Sequence, residues 1–267
     1  MNDRAIDQPI DPPIDDPGFR RLSESTVHQG HVWHVAVADF WGRVLDWQLG
    51  APWRGHPELR GLEPPRGGAY VHLQQIDGPS RVHIDFESDE PAATVAHAVR
   101  LGARLVGEHD RWRTLLSPGG LPFCVVASGR HTAPEPTAWP DGHRSRLVQV
   151  CIDAPQDVHD PEVAFWRGLL PGRWVDSPAP EFAGKWHDDA GSPLQLLFQR
   201  LGEPSGPVRA HLDHGTDDLP REVRRLRDLG AADVGRGRGW HTLRDPSGQV
   251  FCVTENSPAQ TTLRDLG

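Results

Sequence analysis

Residues 81–125, RVHIDFESDEPAATVAHAVRLGARLVGEHDRWRTLLSPGGLPFCV, recur without a gap as residues 209–253, RAHLDHGTDDLPREVRRLRDLGAADVGRGRGWHTLRDPSGQVFCV. His83-Ile84-Asp85 becomes His211-Leu212-Asp213, Leu101-Gly102-Ala103 becomes Leu229-Gly230-Ala231, Trp112 becomes Trp240, and Phe123-Cys124-Val125 becomes Phe251-Cys252-Val253, all at an offset of 128. Upstream, Phe40-Trp41 returns as Phe165-Trp166 and Gln74 as Gln199 at an offset of 125, so about three residues are inserted before the second His-x-Asp. A unit this long is a duplicated domain and not a solenoid repeat.

The two copies span about 20–131 and 145–257. A proline-rich linker (132–144) joins them, a proline-rich acidic leader (1–19) reads as disordered, and a tail without pattern (258–267) follows. Each copy reads as strand, helix, strands, and then the same again. One helix at about 35–48 carries the stripe Val37, Phe40-Trp41, Val44-Leu45. Its counterpart is expected to start at Asp160-Pro161, with an N-cap and a proline at N1, and carries Val163, Phe165-Trp166 and Leu169. In Val82–Phe86, strand alternation puts Val82, Ile84 and Phe86 on one face and His83 and Asp85 on the other. Helices at about 90–101 and 220–229 end at Gly102 and Gly230, which suit a left-handed cap. Hairpins around Ser117–Gly120 and Asp245–Gly248 close each copy.

This order resembles the glyoxalase-like domains of the vicinal oxygen chelate superfamily, over nearly all of 20–257 and in both copies. The resemblance implies an α+β fold of two tandem domains, each of two βαβββ modules forming a curled mixed sheet around a cavity. Metal-dependent members place a His on the first strand of a module and a Glu on the last. Here His83 and His211 fill the first-strand position of the second modules, but Cys124 and Cys252 stand where Glu is wanted. No full ligand set is present, and no metal is expected. A divalent metal stays open as a cofactor, and His28, His72 and His83 are the set that would hold it.

On the cavity faces the candidate ligand-binding residues are His83, Asp85, Tyr70, His72, Gln74 and Trp112 in the first copy, and His211, Asp213, Gln199 and Trp240 in the second. Each His-x-Asp pair is equally readable as a sheet-securing hydrogen bond. The first copy, with its extra histidines at 28, 31 and 34, is the better candidate for chemistry. Lys185, Trp186, His187 and His214 offer binding groups in the second. The ten tryptophans make an aromatic-lined pocket for a small organic molecule plausible. A metal-dependent lyase, isomerase or dioxygenase is the alternative, and a structural or regulatory double domain a third reading.

Net charge of −9 disfavours nucleic acid and anionic membranes as partners, and no apolar run is long enough to span a bilayer. Three cysteines, with Cys124 and Cys252 at equivalent positions, read as buried small hydrophobes in a cytoplasmic protein. The two domains are expected to pair within the chain about a pseudo-twofold axis, as monomer or homodimer.

Overall fold

The computed structural model describes residues 19–30, 34–129, 133–187 and 192–259, with side chains from residue 36 onward. Domain 1 runs β1 (Phe19–Gly30), α1 (His34–Leu45), β2 (Gln48–Trp53), β3 (His56–Glu63), β4 (Val71–Ile76), then β5 (Arg81–Ser88), α2 (Pro91–Arg100), β6 (Arg104–Glu108), β7 (Trp112–Leu116) and β8 (Pro122–Ala127). A short β9 (Thr137–Ala138) lies in the linker and pairs with β10. Domain 2 repeats the order as β10 (Arg144–Ala154), α3 (His159–Leu169), β11 (Arg173–Val175), β12 (Phe182–His187), β13 (Gln195–Arg200), β14 (Arg209–Thr216), α4 (Leu219–Asp228), β15 (Ala232–Arg236), β16 (Trp240–Arg244) and β17 (Val250–Thr254).

Each domain is therefore two βαβββ modules joined in one mixed sheet, ordered β2-β3-β4-β1-β5-β8-β7-β6 in domain 1 and β11-β12-β13-β10-β14-β17-β16-β15 in domain 2. Within each module the first and last strands are parallel neighbours. Parallel pairing requires a crossover, and each module's helix supplies it. Gly102 and Gly230 cap the second-module helices at φ values of 108° and 110°, as the repeat suggested. Among the described residues no helix is long and apolar enough to cross a membrane.

One expectation fails at α3, which begins at His159, so Asp160 is not its N-cap. The Asp160 carboxylate is instead taken by His159 Nδ1 at 2.7 Å and by Arg200 at 2.5 Å. The matching site on α4 does follow the rule, with Asp218 accepting from the Arg221 N–H at 3.0 Å.

Burial of the apolar faces joins the domains, because one contiguous core runs through both. The Phe-Trp pairs cross over. Phe40 and Trp41 of α1 pack edge-on against Phe251 of β17 at 6.0 and 5.2 Å, and Phe165 and Trp166 of α3 pack on Phe123 of β8 at 5.9 and 5.1 Å. The helix of one copy thus covers the last strand of the other.

Each indole is also tied to the opposite hairpin turn, one directly and one through a carboxylate of its own helix. Trp41 Nε1 donates to Asp245 Oδ2 at 2.9 Å. Trp166 Nε1 donates at 2.8 Å to Glu162 Oε1 on its own helix, and Glu162 Oε2 accepts from the Gly119 N–H at 2.8 Å. Burial raises the Glu162 carboxyl pKa against the opposing hydrogen bonds from Ser117, Gly119 and Trp166. A side chain at Gly119 would place its Cβ 2.2 Å from the Val208 methyl, so glycine is required by the close approach of the domains there.

A second seam contact lies at the other end of α1. Arg225 of α4 bonds Glu222 at 2.8 and 2.7 Å, reaches the Val44 carbonyl at 2.9 Å, and lies 3.5 Å over the Trp139 ring of the linker. Glu222, fully buried, also receives His143 Nε2 at 2.7 Å. His214 Nε2 stands 3.0 Å from the same carboxylate at ion-pair distance, without hydrogen-bond alignment.

Candidate active site in domain 2

A cavity of about 1330 Å³ opens on the concave face of the domain 2 sheet and continues to the domain seam. Strand alternation sets its floor. On β10 the residues Gln149, Cys151 and Asp153 face the cavity, on β14 His211 and Asp213, and on β13 Leu197 and Gln199. The alternate residues Val150, Ile152 and Leu212 go to the core. Register brings Cys151 level with His211, and Gln149 level with Asp213.

The centre of the floor is His211 between two carboxylates. Its Nδ1 lies 2.6 Å from Asp153 Oδ2, and its Nε2 lies 3.4 Å from Asp213 Oδ1. Gln149 Nε2 donates to the other Asp213 oxygen, and Cys151 Sγ donates to Asp153 Oδ1 at 3.6 Å. Burial works to lower the His211 pKa. The negative groups around it, Cys151 when ionised and Asp153, with the hydrogen bonds it donates to both aspartates, outweigh burial and hold it well above the ordinary range. Burial, reinforced by Asp153, pushes the Cys151 thiol well up. A histidine held by two carboxylates places a group able to carry a proton at the cavity floor.

Lys185 enters from β12, its Nζ 3.3 Å from Asn256 Oδ1, and Phe182 and Trp240 meet edge-on at 6.5 Å in the cavity lining. Of the second-copy candidates, His211, Asp213, Gln199 and Trp240 line this space, as does Lys185. Trp186 and His214 do not. Each is next in sequence to a cavity residue and so points the opposite way, Trp186 donating to the Pro171 carbonyl at 2.8 Å and His214 lying beside Glu222. His187 is buried and is not among the lining residues.

In domain 1, His83 Nε2 and Asp85 Oδ1 are 3.0 Å apart, with Cys124 beside them. Aromatic rings lie across this face: Trp53 packs on His72 at 4.9 Å, and Trp112 is flanked by His56 at 4.9 Å and His109 at 4.6 Å. Gln74 is half-buried on β4. Tyr70 is a correction. It precedes β4, so strand alternation does not govern it, and its hydroxyl donates at 2.7 Å to the Leu147 carbonyl of domain 2 in the core. The side chains of His28, His31 and His34 lie outside those described.

Asp153 was missed on sequence, although it shares strand parity with Gln149 and Cys151. Also missed was a longer repeat, Pro79-x-Arg81-x-His83-x-Asp85 and Pro207-x-Arg209-x-His211-x-Asp213. Thr114 and Thr242 form another repeated pair, at 3.3 and 3.5 Å from Cys124 Sγ and Cys252 Sγ.

The sequence matches the family described as Glyoxalase-like domain over residues 32–126 and 149–254. The chain belongs to the glyoxalase-like domain family. No curated protein matches it. Among solved structures, this glyoxalase-like chain is similar to the Mn(II)-bound glyoxalase from Novosphingobium aromaticivorans, at 19% identity and a TM-score of 0.64, covering 90% of this chain and 83% of that one. It is also similar to 2,2',3-trihydroxybiphenyl 1,2-dioxygenase from Sphingomonas wittichii, at 11% identity, TM-score 0.59 and coverage of 92% and 93%. A variant homoprotocatechuate 2,3-dioxygenase from B. fuscum gives 14% identity, TM-score 0.60 and coverage of 92% and 74%. At these identities the likeness shows the fold alone.

Such relatives raise the question of a metal. Cys151, Asp153 and His211, and likewise His211, Asp213 and Cys252, bring ligand atoms within 4.8 Å of one another. The donors do not fit a manganese or non-haem iron centre of imidazole and oxygen ligands. Each of the two groups includes a cysteine sulfur, Cys151 or Cys252, Cys252 occupies the last-strand position, and both His211 nitrogens are turned to carboxylates.

Proposed function

We propose that this glyoxalase-like protein binds a small organic molecule in the domain 2 cavity. The observation that carries the reading is the 1330 Å³ space, whose apolar lining (Leu197, Phe182, Trp240, Val208) surrounds a compact polar centre at His211. That combination suits a ligand with an apolar body and one or two hydrogen-bonding groups. Three free, buried cysteines accord with a reducing cytoplasmic setting. The test is saturable binding of N-phenylnaphthylamine, a neutral fluorophore, to the full chain. Leu197→Trp, which fills the cavity, is expected to abolish it. No saturable binding, or binding indifferent to Leu197→Trp, overturns the reading.

The Asp153–His211–Asp213 array favours a second reading within the same cavity, proton transfer of the lyase or isomerase kind without a metal. Solvent deuterium entering a panel of aryl-substituted oxo acids, and lost in His211→Gln, is its measurement. No incorporation by the wild-type chain retires it.

A further inference from the structure

The cavity of domain 2 is walled in part by domain 1. Pro79–Val82 and Gly120–Pro122 reach its seam end, beside Pro207–Ala210 and Gly248–Val250. Two arginines from the repeated Pro-x-Arg-x-His-x-Asp stretch, Arg81 and Arg209, stand at this end.

Their electrostatic situations differ. Arg209 is neutralised: its Nη1 bonds Glu203 Oε2 at 2.8 Å and its Nη2 bonds Glu203 Oε1. Glu203 sits in the loop between β13 and β14, which is four residues longer than its domain 1 counterpart between β4 and β5. The shorter loop offers only Asp77, which makes no ion pair with Arg81. Arg81 is exposed at the cavity and has no hydrogen-bond or ion-pair partner among the described residues.

The other charges of the lining do not answer it. Asp153 and Asp213 are engaged by His211, and Lys185 adds a further cation on the floor. Glu181 is the one remaining lining carboxylate, and Arg238, a lining residue that is exposed and also without a partner, opposes it in sign. A chain of net charge −9 thus presents an uncompensated cation in the lining of this cavity. Guanidinium donors in that position match an acid group.

Resting on the ligand-binding reading above, we propose that the ligand is an organic anion whose acid group is held by Arg81 at the domain seam, its apolar body lying along the domain 2 floor. Domain 1 then contributes a specificity-determining residue, besides part of the wall, to a site whose floor is built by domain 2.

The experiment compares two probes with the same aromatic body, anilinonaphthalene sulfonate, which is anionic, and N-phenylnaphthylamine, which is neutral, on the full-length chain. Arg81→Gln is expected to weaken the sulfonate roughly tenfold or more, the usual worth of a hydrogen bond to a charged group. The neutral probe should be unchanged. Arg238→Gln serves as the comparison and should move the sulfonate by less than about twofold. An unchanged sulfonate affinity in Arg81→Gln overturns the proposal. So does an equal loss of both probes, and so does a loss that follows Arg238→Gln instead. Failure of the wild-type chain to bind either probe would strike the ligand-binding reading itself, a distinguishable outcome.

Discussion

Replacing Trp41 by phenylalanine removes one buried hydrogen bond between the domains while keeping an aromatic ring in place. The indole N–H donates to Asp245 Oδ2 at 2.9 Å, and both groups are buried. Asp245 Oδ1 keeps its own partners in the turn, the Ser247 N–H and hydroxyl and the Gln249 N–H. The substitution therefore strands one carboxylate oxygen without unravelling the turn. Loss of a hydrogen bond to a charged group costs about 1.5–3 kcal/mol. The smaller ring forfeits on the order of 40 Å² of burial against Phe251, worth about 1 kcal/mol. The expected destabilisation is roughly 2.5–4 kcal/mol, read by urea unfolding. Asp245→Ala alone and Trp41→Phe with Asp245→Ala complete a cycle, in which a coupling of at least about 1.5 kcal/mol is expected. A coupling below about 0.5 kcal/mol would refute the assignment of this bond as a seam contact.

Stability should fall with acid through Glu222. Burial works to raise its pKa, but the bonds from Arg225 and the His214 imidazole close beside it outweigh that and hold it far below the ordinary 4.5, so its contribution is complete above about pH 5 and fades as pH drops. Glu222→Gln should lower neutral stability by about 3–5 kcal/mol and flatten the acid limb of a stability–pH curve; an unchanged limb would contradict the account. Glu162→Val should destabilise the chain, with Ser117→Asp restoring part of the loss in the double variant, as measured by thermal unfolding. No restoration would count against the seam reading. His211→Ala should weaken N-phenylnaphthylamine binding, whereas His83→Ala should lower thermal stability and leave that affinity alone; the reverse pattern would move the site to domain 1.

The duplication was legible because both copies retain the residues that make turns and core: Leu-Gly-Ala at the helix ends and Phe-Cys-Val on the last strands. Period-two alternation then put His211 and Asp213 on the concave face. It failed at Tyr70, one residue outside its strand, where a hydroxyl reaching across the seam decides the environment. Choosing between the two concave faces was beyond a count of histidines, because the rings of Trp53 and His56 arrive from a separate hairpin. Nor does local sequence announce that Arg81 of one domain borders the cavity of the other. That proximity comes from packing distant segments together.

The crossed helices carry one more implication, for the two halves as mates. The carboxylate that meets the tryptophan is written on the turn in one case, Asp245, where the facing helix has Val37. It is written on the helix in the other, Glu162, where the facing turn has Ser117. Two copies of the first half joined in the same manner would bring valine to serine and leave each indole without an acid. Two copies of the second would bury glutamate against aspartate at both contacts, a repulsion that low-dielectric surroundings amplify. Only unlike halves match. The two domains have become complementary partners that select each other over themselves, and keeping them on one polypeptide guarantees the pairing.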